Sequence, residues 1–391
     1  MKSYFIPEIS KNIFAVGAKD YNRTIFDALI PLPRGTSFNS YLVKGDARNA
    51  LIDSVGPGFE NEIMGKISQL IDPSKLDCLI MNHAEPDHGT AIKTIMSNTN
   101  ATLYATEKGA SMAARFHGAP ADRIKIIKDG DKLDLGGKTL RFIEAPWLHW
   151  PETMFTYLEE QKILFSCDFF GAHVAYGTYE NDVENLNSLA KSYFSEIMMP
   201  LRAFCKKGIE KVNALELSMI APSHGPVYRD PAKILGHYRD WIAGETKKKA
   251  VVIYVTMWNS TEEMVKIMVE SLETNGIEVK LYNIINAETD LLAEDLVDSR
   301  AVVVGAPTVL GSLHPLIMYN LNLIKLLKPP IKYAAILNSY GWGKGAVKQA
   351  VEILESAKIE IVGALEVNGP PLADDQKSII DLASQLSVKM A

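Results

Sequence analysis

The stretch LIMNHAEPDHGTA, residues 79–91, sets His83, Glu85, Asp87 and His88 within six positions, directly after an apolar run. The apolar run reads as a strand and the polar cluster as its mouth. Alternate residues of an extended chain project to one side, so His83, Glu85 and Asp87 are expected to share a face. His88 then turns to a neighbouring point as the chain enters a helix. The spacing, and a proline at position 86, exclude the helical His-Glu-x-x-His of metalloproteases. Neutral imidazoles beside carboxylates form a ligand set for a divalent metal.

Working outward, three more apolar strands end in residues of the same kind. APWLHWPET carries His149 between Trp147 and Trp150, LFSCDFFGAH carries Asp168, and LSMIAPSHGP carries His224. Seven candidates exceed what one ion needs. Six terminal ligands and one bridging carboxylate suit two ions about 3.5–4 Å apart. Singly, each would be an ordinary strand-end or cap residue, as Asp87 before Gly89 would be; together they indicate a metal centre. His117 in the exposed-looking turn RFHGAP, His237 in the helical GHYRDW and His314 before Pro315 read as structural residues.

The first 240 or so residues alternate short strands with helices, and the run GETKKKA (244–250) reads as a polar linker. Beyond it, VVIYVT, IEVKLYNI, AVVVGAPT, YAAILNSY and EIVGALEV alternate with helical segments. Near-continuous apolar strands alternating with helices indicate a doubly wound parallel sheet of five strands, flavodoxin-like in size.

Composition narrows the class. A charged content of 23% and a hydrophobic content of 47% are those of a globular chain, and 391 residues suggest at least two domains. A net charge of −6 argues against nucleic acid as a partner. The three cysteines, Cys78, Cys167 and Cys205, form no Cys-x-x-Cys pair, which excludes a disulfide framework and an appended iron–sulfur or rubredoxin-like module. No run approaches the roughly 20 apolar residues of a membrane span, and the start lacks a signal-peptide core. The expectation is a reduced, soluble, cytoplasmic protein with no membrane partner.

In the second half, YVTMWNSTEEM (254–264) reads as strand, polar turn and helix start. Its backbone N–H groups, the helix N-terminus and the hydroxyls of Thr256, Ser260 and Thr261 suit a phosphate. Met257, Trp258 and Asn259 complete the turn. The absence of a Walker lysine and of Gly-x-Gly-x-x-Gly makes it a monophosphate cradle. Two later loops leave strand C-terminal ends, where a doubly wound sheet has its ligand crevice. One runs through Pro307, Thr308, Val309, Leu310 and Gly311; the other through Asn338, Ser339, Tyr340, Gly341, Trp342 and Gly343. Tyr340 and Trp342 offer aromatic faces to a flat ring, and Gly341 and Gly343 let backbone approach it.

With the pattern His-x-Glu-x-Asp-His, then His149, Asp168 and His224 after intervals of 60, 18 and 55 residues, the chain resembles the flavodiiron proteins over essentially its whole length. The resemblance implies an α/β chain of two domains. An αββα metallo-β-lactamase-like sandwich is expected over 1–246 and a five-stranded doubly wound flavodoxin-like domain over 250–391. It implies FMN, its phosphate at 256–261, and two non-haem irons. One iron falls to His83, Glu85 and His149, the other to Asp87, His88 and His224, with Asp168 bridging. In that pattern His88 is the ligand most easily displaced. Zinc hydrolases of the same fold carry a histidine where Glu85 stands, and the added hard oxygen favours iron.

The implied activity is reduction of dioxygen to water, nitric oxide to nitrous oxide, or both. Flavin and diiron centre together store the four electrons dioxygen needs. Trp147 and Trp150 are expected to shield the site, and His173 and Tyr193 to hydrogen-bond bound oxygen species. The resemblance also implies a head-to-tail homodimer, or a dimer of dimers, and a separate donor, either a rubredoxin-like protein or a reduced deazaflavin coenzyme. The family often has asparagines where Leu310 and Gly311 stand and glycine where Lys344 stands. Two rivals are a dizinc hydrolase with an appended flavodoxin domain and a flavodoxin-type electron carrier. Glu85 with Asp87 argues against the first, and the complete set of seven ligands against the second.

Overall fold

The computed structural model describes residues 3–391, so Met1 and Lys2 of the expected first domain lie outside the described residues. The chain divides into two compact units, one ending at Ile242 and the other spanning Ala243–Ala391.

The first unit holds two sheets face to face. The seven-stranded sheet runs in the order Glu8–Ser10, Ile13–Ala15, Tyr41–Lys44, Asn49–Ile52, Leu76–Ile80, Thr102–Ala105, Ile124–Ile126. Its first four strands pair antiparallel and the remainder parallel. The five-stranded sheet runs Lys132–Asp134, Thr139–Glu144, Met154–Leu158, Ile163–Phe165, Met219–Ile220. Alternate side chains meet between the sheets: Val43, Ile52 and Ile80 from one pack with Phe142, Met154 and Phe165 from the other. The intervening Leu42, Leu51 and Leu79 are just as buried on the opposite face, which marks a sheet covered on both sides. Each such burial contributes about 1.5–3 kcal/mol.

Several strands have only two or three residues, too few for a readable alternation, and Glu8–Ser10, Ile13–Ala15 and Lys132–Asp134 are not anticipated from sequence. Nor is the helix Glu107–His117, opened by Thr106, whose hydroxyl accepts from the Gly109 N–H, and closed by Gly118 in the left-handed conformation.

The second unit is a five-stranded parallel sheet in the order Glu278–Asn283, Lys247–Tyr254, Ser299–Val309, Tyr333–Tyr340, Glu360–Asn368. Helices Thr289–Leu296, Pro315–Leu327 and Ala346–Ser356 pack on one face, over Val251, Ile253 and Val304. Helices Ser260–Thr274 and Ala373–Met390 pack on the other, over Ala250, Val252 and Val303. Ser312–Leu313 folds back antiparallel on the end of Ser299–Val309, as a short tongue. One expectation needs correcting: the three lysines read as linker begin the strand Lys247–Tyr254. Lys249 is buried there because its ammonium meets the carboxylates of Asp295 (3.1 Å) and Asp298.

Candidate metal centre and cofactor crevice

All seven proposed metal ligands lie beyond strand C-terminal ends, five in loops and Asp87 and His88 in a short helical turn. His83 leaves Leu76–Ile80, His149 leaves Thr139–Glu144, Asp168 leaves Ile163–Phe165 and His224 leaves Met219–Ile220. The extended reading of 83–88 holds only as far as Glu85. Pro86, barred from a helix interior, instead starts one, the single turn Pro86–Gly89, where its missing N–H costs nothing. Asp87 is thereby turned away from the face of His83 and Glu85 and joins His88.

The donor atoms fall into two trios around Asp168. On one side Glu85 Oε2 lies 2.9 Å from His149 Nε2 and 3.2 Å from His83 Nε2, and Asp168 Oδ2 lies 3.4 and 3.5 Å from the same two nitrogens. On the other, Asp168 Oδ1 lies 3.0 Å from His88 Nε2 and 3.4 Å from His224 Nε2. Asp87 completes that trio, with Oδ2 3.1 Å from His224 Nε2 and Oδ1 3.4 Å from His88 Nε2. Donors each about 2.1 Å from one ion stand about 3–3.5 Å apart, so both trios are spaced to share an ion. Both oxygens of Asp87, both of Asp168 and both ring nitrogens of His88 are buried with no hydrogen-bond partner. Such groups are costly unless something cationic completes them.

The electrostatics agree. Burial opposes the charge on His83, but the carboxylates of Glu152 and Glu85 outweigh it and hold its pKa well above the usual imidazole range. His88 is likewise buried, yet Asp87 and Asp168 raise it to about 9. Burial would push Glu85 and Asp168 up; the surrounding imidazoles instead hold both well below ordinary carboxylates. Cys167 is within reach of His88 and Asp168, but burial and then the Asp168 charge push its thiol far up, so it stays neutral.

Several supporting residues escape sequence reasoning. Glu152 Oε1 accepts from His83 Nδ1–H (2.7 Å) and from the Ala84 N–H (2.9 Å), leaving the His83 Nε2 lone pair to face the trio. It stands three residues after His149, in the stretch already singled out, and a histidine ligand's need for such an acceptor was the available signal. His224 Nδ1–H donates to the Ser37 carbonyl at 2.6 Å, fixing its tautomer the same way. Asp53 accepts from the Asn82 N–H (2.7 Å) and side-chain amide (2.9 Å), and Thr156 donates to Asn82 Oδ1 (2.7 Å). These struts hold the residue before His83.

His173 and Tyr193 border the second trio, their rings 5.2 and 5.9 Å from that of His224. His173 Nδ1 lies 2.9 Å from Thr36 Oγ1, while Nε2 is buried without a partner. Burial, then His224, holds its pKa well below the usual range, and burial holds the Tyr193 phenol protonated. Of the two tryptophans expected to shield the site, Trp150 sets its ring edge-on to His83 at 5.1 Å, whereas Trp147 packs against Phe204 and is 43% exposed. Phe26, unanticipated, covers His173 (5.0 Å) and His224 (6.0 Å). His117 is not in an exposed turn; it is buried at a helix end.

In the second unit a crevice of about 320 Å³ opens at the strand C-terminal ends. Its walls include Thr256, Met257, Trp258, Ser260, Thr261, Pro307, Thr308, Ser339, Tyr340, Gly341 and Trp342, with Gly369 added. Asn259, Val309, Leu310, Gly311, Asn338 and Gly343 do not line it. Asn259 precedes the helix Ser260–Thr274 in the left-handed conformation (φ 67°) and makes no side-chain cap, so the helix N–H groups stay open to a ligand. The buried Thr256 hydroxyl has no partner, whereas that of Thr261 is committed to Ser339 at 2.8 Å. Asn338 is a strut, donating to the Ala306 carbonyl (2.8 Å) and accepting from Thr308 (3.0 Å). Leu310 and Gly311 form the tip of the tongue, both with positive φ, and a Cβ on Gly345 would meet the Gly311 carbonyl at 2.4 Å.

Comparison with known proteins decides the family. Residues 36–225 match the ODP family beta lactamase model and residues 252–381 the flavodoxin model. The chain is 34% identical to a nitric oxide reductase of Moorella thermoacetica, over 98% of each chain. It is 32% identical to a coenzyme F420H2 oxidase of Methanocaldococcus jannaschii, over 98% of this chain and 96% of that one. The chain belongs to the flavodiiron family. The rubredoxin oxygen:oxidoreductase of Desulfovibrio gigas superposes with a TM-score of 0.95 at 27% identity, covering 99% of this chain and 98% of that one. This flavodiiron protein is therefore an oxidoreductase, with a β-lactamase-like domain followed by a parallel-sheet flavodoxin-like domain. Among the described residues no helix is long and apolar enough to cross a membrane.

Proposed function

We propose that this flavodiiron protein reduces dioxygen to water at a diiron centre fed by FMN, with nitric oxide as the alternative oxidant of the same site. The observation that carries the reading is that the two oxygens of Asp168 face two separate His/His/carboxylate trios. His83, Glu85 and His149 would hold one iron, Asp87, His88 and His224 the other, and Asp168 both. FMN would lie in the crevice of the second unit, its phosphate against the open helix N-terminus and Thr256, its ring near Tyr340 and Trp342. When bound, the flavin and the irons supply the electron storage and the open coordination positions that reduction of a diatomic oxidant requires.

The chain's own residues prepare the site. Glu152 and the Ser37 carbonyl fix the tautomers of His83 and His224. Phe26 and Trp150 keep water from the imidazoles they cover. Tyr193 holds a proton beside the second trio, and His173, kept from protonation by burial and by His224, stays neutral there. Electrons come from a separate reduced carrier in the cytoplasm; the named relatives point to a rubredoxin-like protein or a reduced deazaflavin. A head-to-tail homodimer, apposing one copy's flavin to its partner's irons, completes the proposal, and an active monomer in analytical ultracentrifugation would remove that part.

The test is metal and flavin content of anaerobically purified protein, followed by dioxygen and nitric oxide kinetics. About two irons and one FMN per chain support the two-metal redox reading. Two zincs, with ester hydrolysis and no oxygen consumption, would replace it by the hydrolase.

A further inference from the structure

Ala84, between the ligands His83 and Glu85, is held on both sides of its backbone. Its N–H donates to Glu152 Oε1 at 2.9 Å, and its carbonyl lies 2.7 Å from His117 Nε2. A carbonyl only accepts, so Nε2 carries the proton. His117 ends the helix Glu107–His117, and the residue opening that helix, Thr106, donates its hydroxyl to the Glu152 carbonyl at 2.9 Å. One helix thus bears on the ligand loop at both ends, through Thr106 and Glu152 at its start and through His117 at its close. Gly89 makes room for this: a Cβ there would stand 2.1 Å from His117 Nε2.

We propose that His117 is a positioning residue of the first metal site, fixing the peptide that carries Glu85 by donating to the Ala84 carbonyl. This rests on the diiron reading above. The carbonyl of Ala84 and the N–H of Glu85 belong to one planar unit, so anchoring the carbonyl sets the direction in which the Glu85 side chain leaves the chain. His83 and Glu85 enter the same trio, whereas Asp87 and His88 are set by the helical turn that follows. Loss of the anchor therefore weakens one trio and spares the other.

The experiment follows release of ferrous iron to a chromogenic chelator from the anaerobic, fully loaded protein, comparing the parent with His117→Phe and His117→Gln. Phe keeps a ring in the packing but has no N–H; Gln keeps a donor that reaches the carbonyl. His117→Phe should release one iron per chain about 10- to 100-fold faster than the parent and leave the other unchanged, the cost of leaving the buried Ala84 carbonyl without its donor. His117→Gln should restore the parent rate to within about threefold. His117→Ala, which removes the donor without adding bulk, should accelerate the same iron and covers the case in which Phe does not fold. Equal release from parent and Phe, equal acceleration of both irons, or equal effects of Phe and Gln would each overturn the role. A parent that takes up no iron would instead bring down the diiron reading, and the positioning role with it.

Discussion

Replacing Glu152 tests the logic of the metal centre without touching a ligand. Its Oε1 accepts two hydrogen bonds, from His83 Nδ1–H at 2.7 Å and from the Ala84 N–H at 2.9 Å, in a residue only 3% exposed. Glu152→Ala strands two buried donors at about 1–3 kcal/mol each. Relief comes only by turning His83, which takes its Nε2 off the trio. The expected loss of affinity for the first metal is about 10–100-fold. Glu152→Gln keeps an acceptor and loses the charge; a charge-assisted bond is roughly twice as strong as a neutral one, so a loss of about 1 kcal/mol, near fivefold, is expected. The assay is iron per chain by plasma mass spectrometry after equilibration with chelators of graded strength. Far-ultraviolet dichroism confirms that each variant is folded. Two irons retained by Glu152→Ala at the parent's chelator midpoint would refute the account of His83.

Metal-free protein should lose stability as pH rises from about 6.5 through about 9. Its raised imidazoles, His83 and His88, contribute fully below the unfolded pKa and cease to contribute once deprotonated in the folded state, so thermal midpoints should fall across that window in metal-free protein and stay nearly level in the iron-loaded form. Thr256→Val should weaken FMN about tenfold or more, the worth of a hydrogen bond to a charged group, and leave riboflavin, which has no phosphate, unaffected; flavin fluorescence quenching reads both, and equal effects would place the phosphate elsewhere. Leu310→Asn should raise the thermal midpoint slightly, by up to about 1 kcal/mol of stability, because Leu310 holds φ 52° at a two-residue hairpin tip that suits asparagine.

The seven ligand candidates were legible because each is a polar residue at the end of an apolar strand, a local feature of the chain. Their grouping was legible only through the family pattern: spacing alone set Asp87 on the face of His83 and Glu85, and the turn begun by Pro86 moved it. What could not be read were contacts between distant segments. Glu152 stands 69 residues from His83, Ser37 187 from His224, and His117 33 from Ala84. His117 looked exposed because Gly118 ends its helix, and a helix stop resembles a turn in sequence. The linker was misread for a related reason: three consecutive lysines look solvated until Asp295 and Asp298 enclose one of them. In the second half the apolar strands were long enough to show themselves, and their number and parallel arrangement were legible from the alternation with helices.

The two sites are also written in different alphabets. In the metal centre every donor is a side-chain atom, so a single base change in a codon erases a ligand and selection must hold those letters. The phosphate cradle offers chiefly the backbone N–H groups at the start of Ser260–Thr274, behind an Asn259 whose side chain caps nothing. Any residue able to follow the same backbone path presents the same groups. Side-chain changes in such loops, Leu310 and Lys344 among them, leave these backbone groups in place.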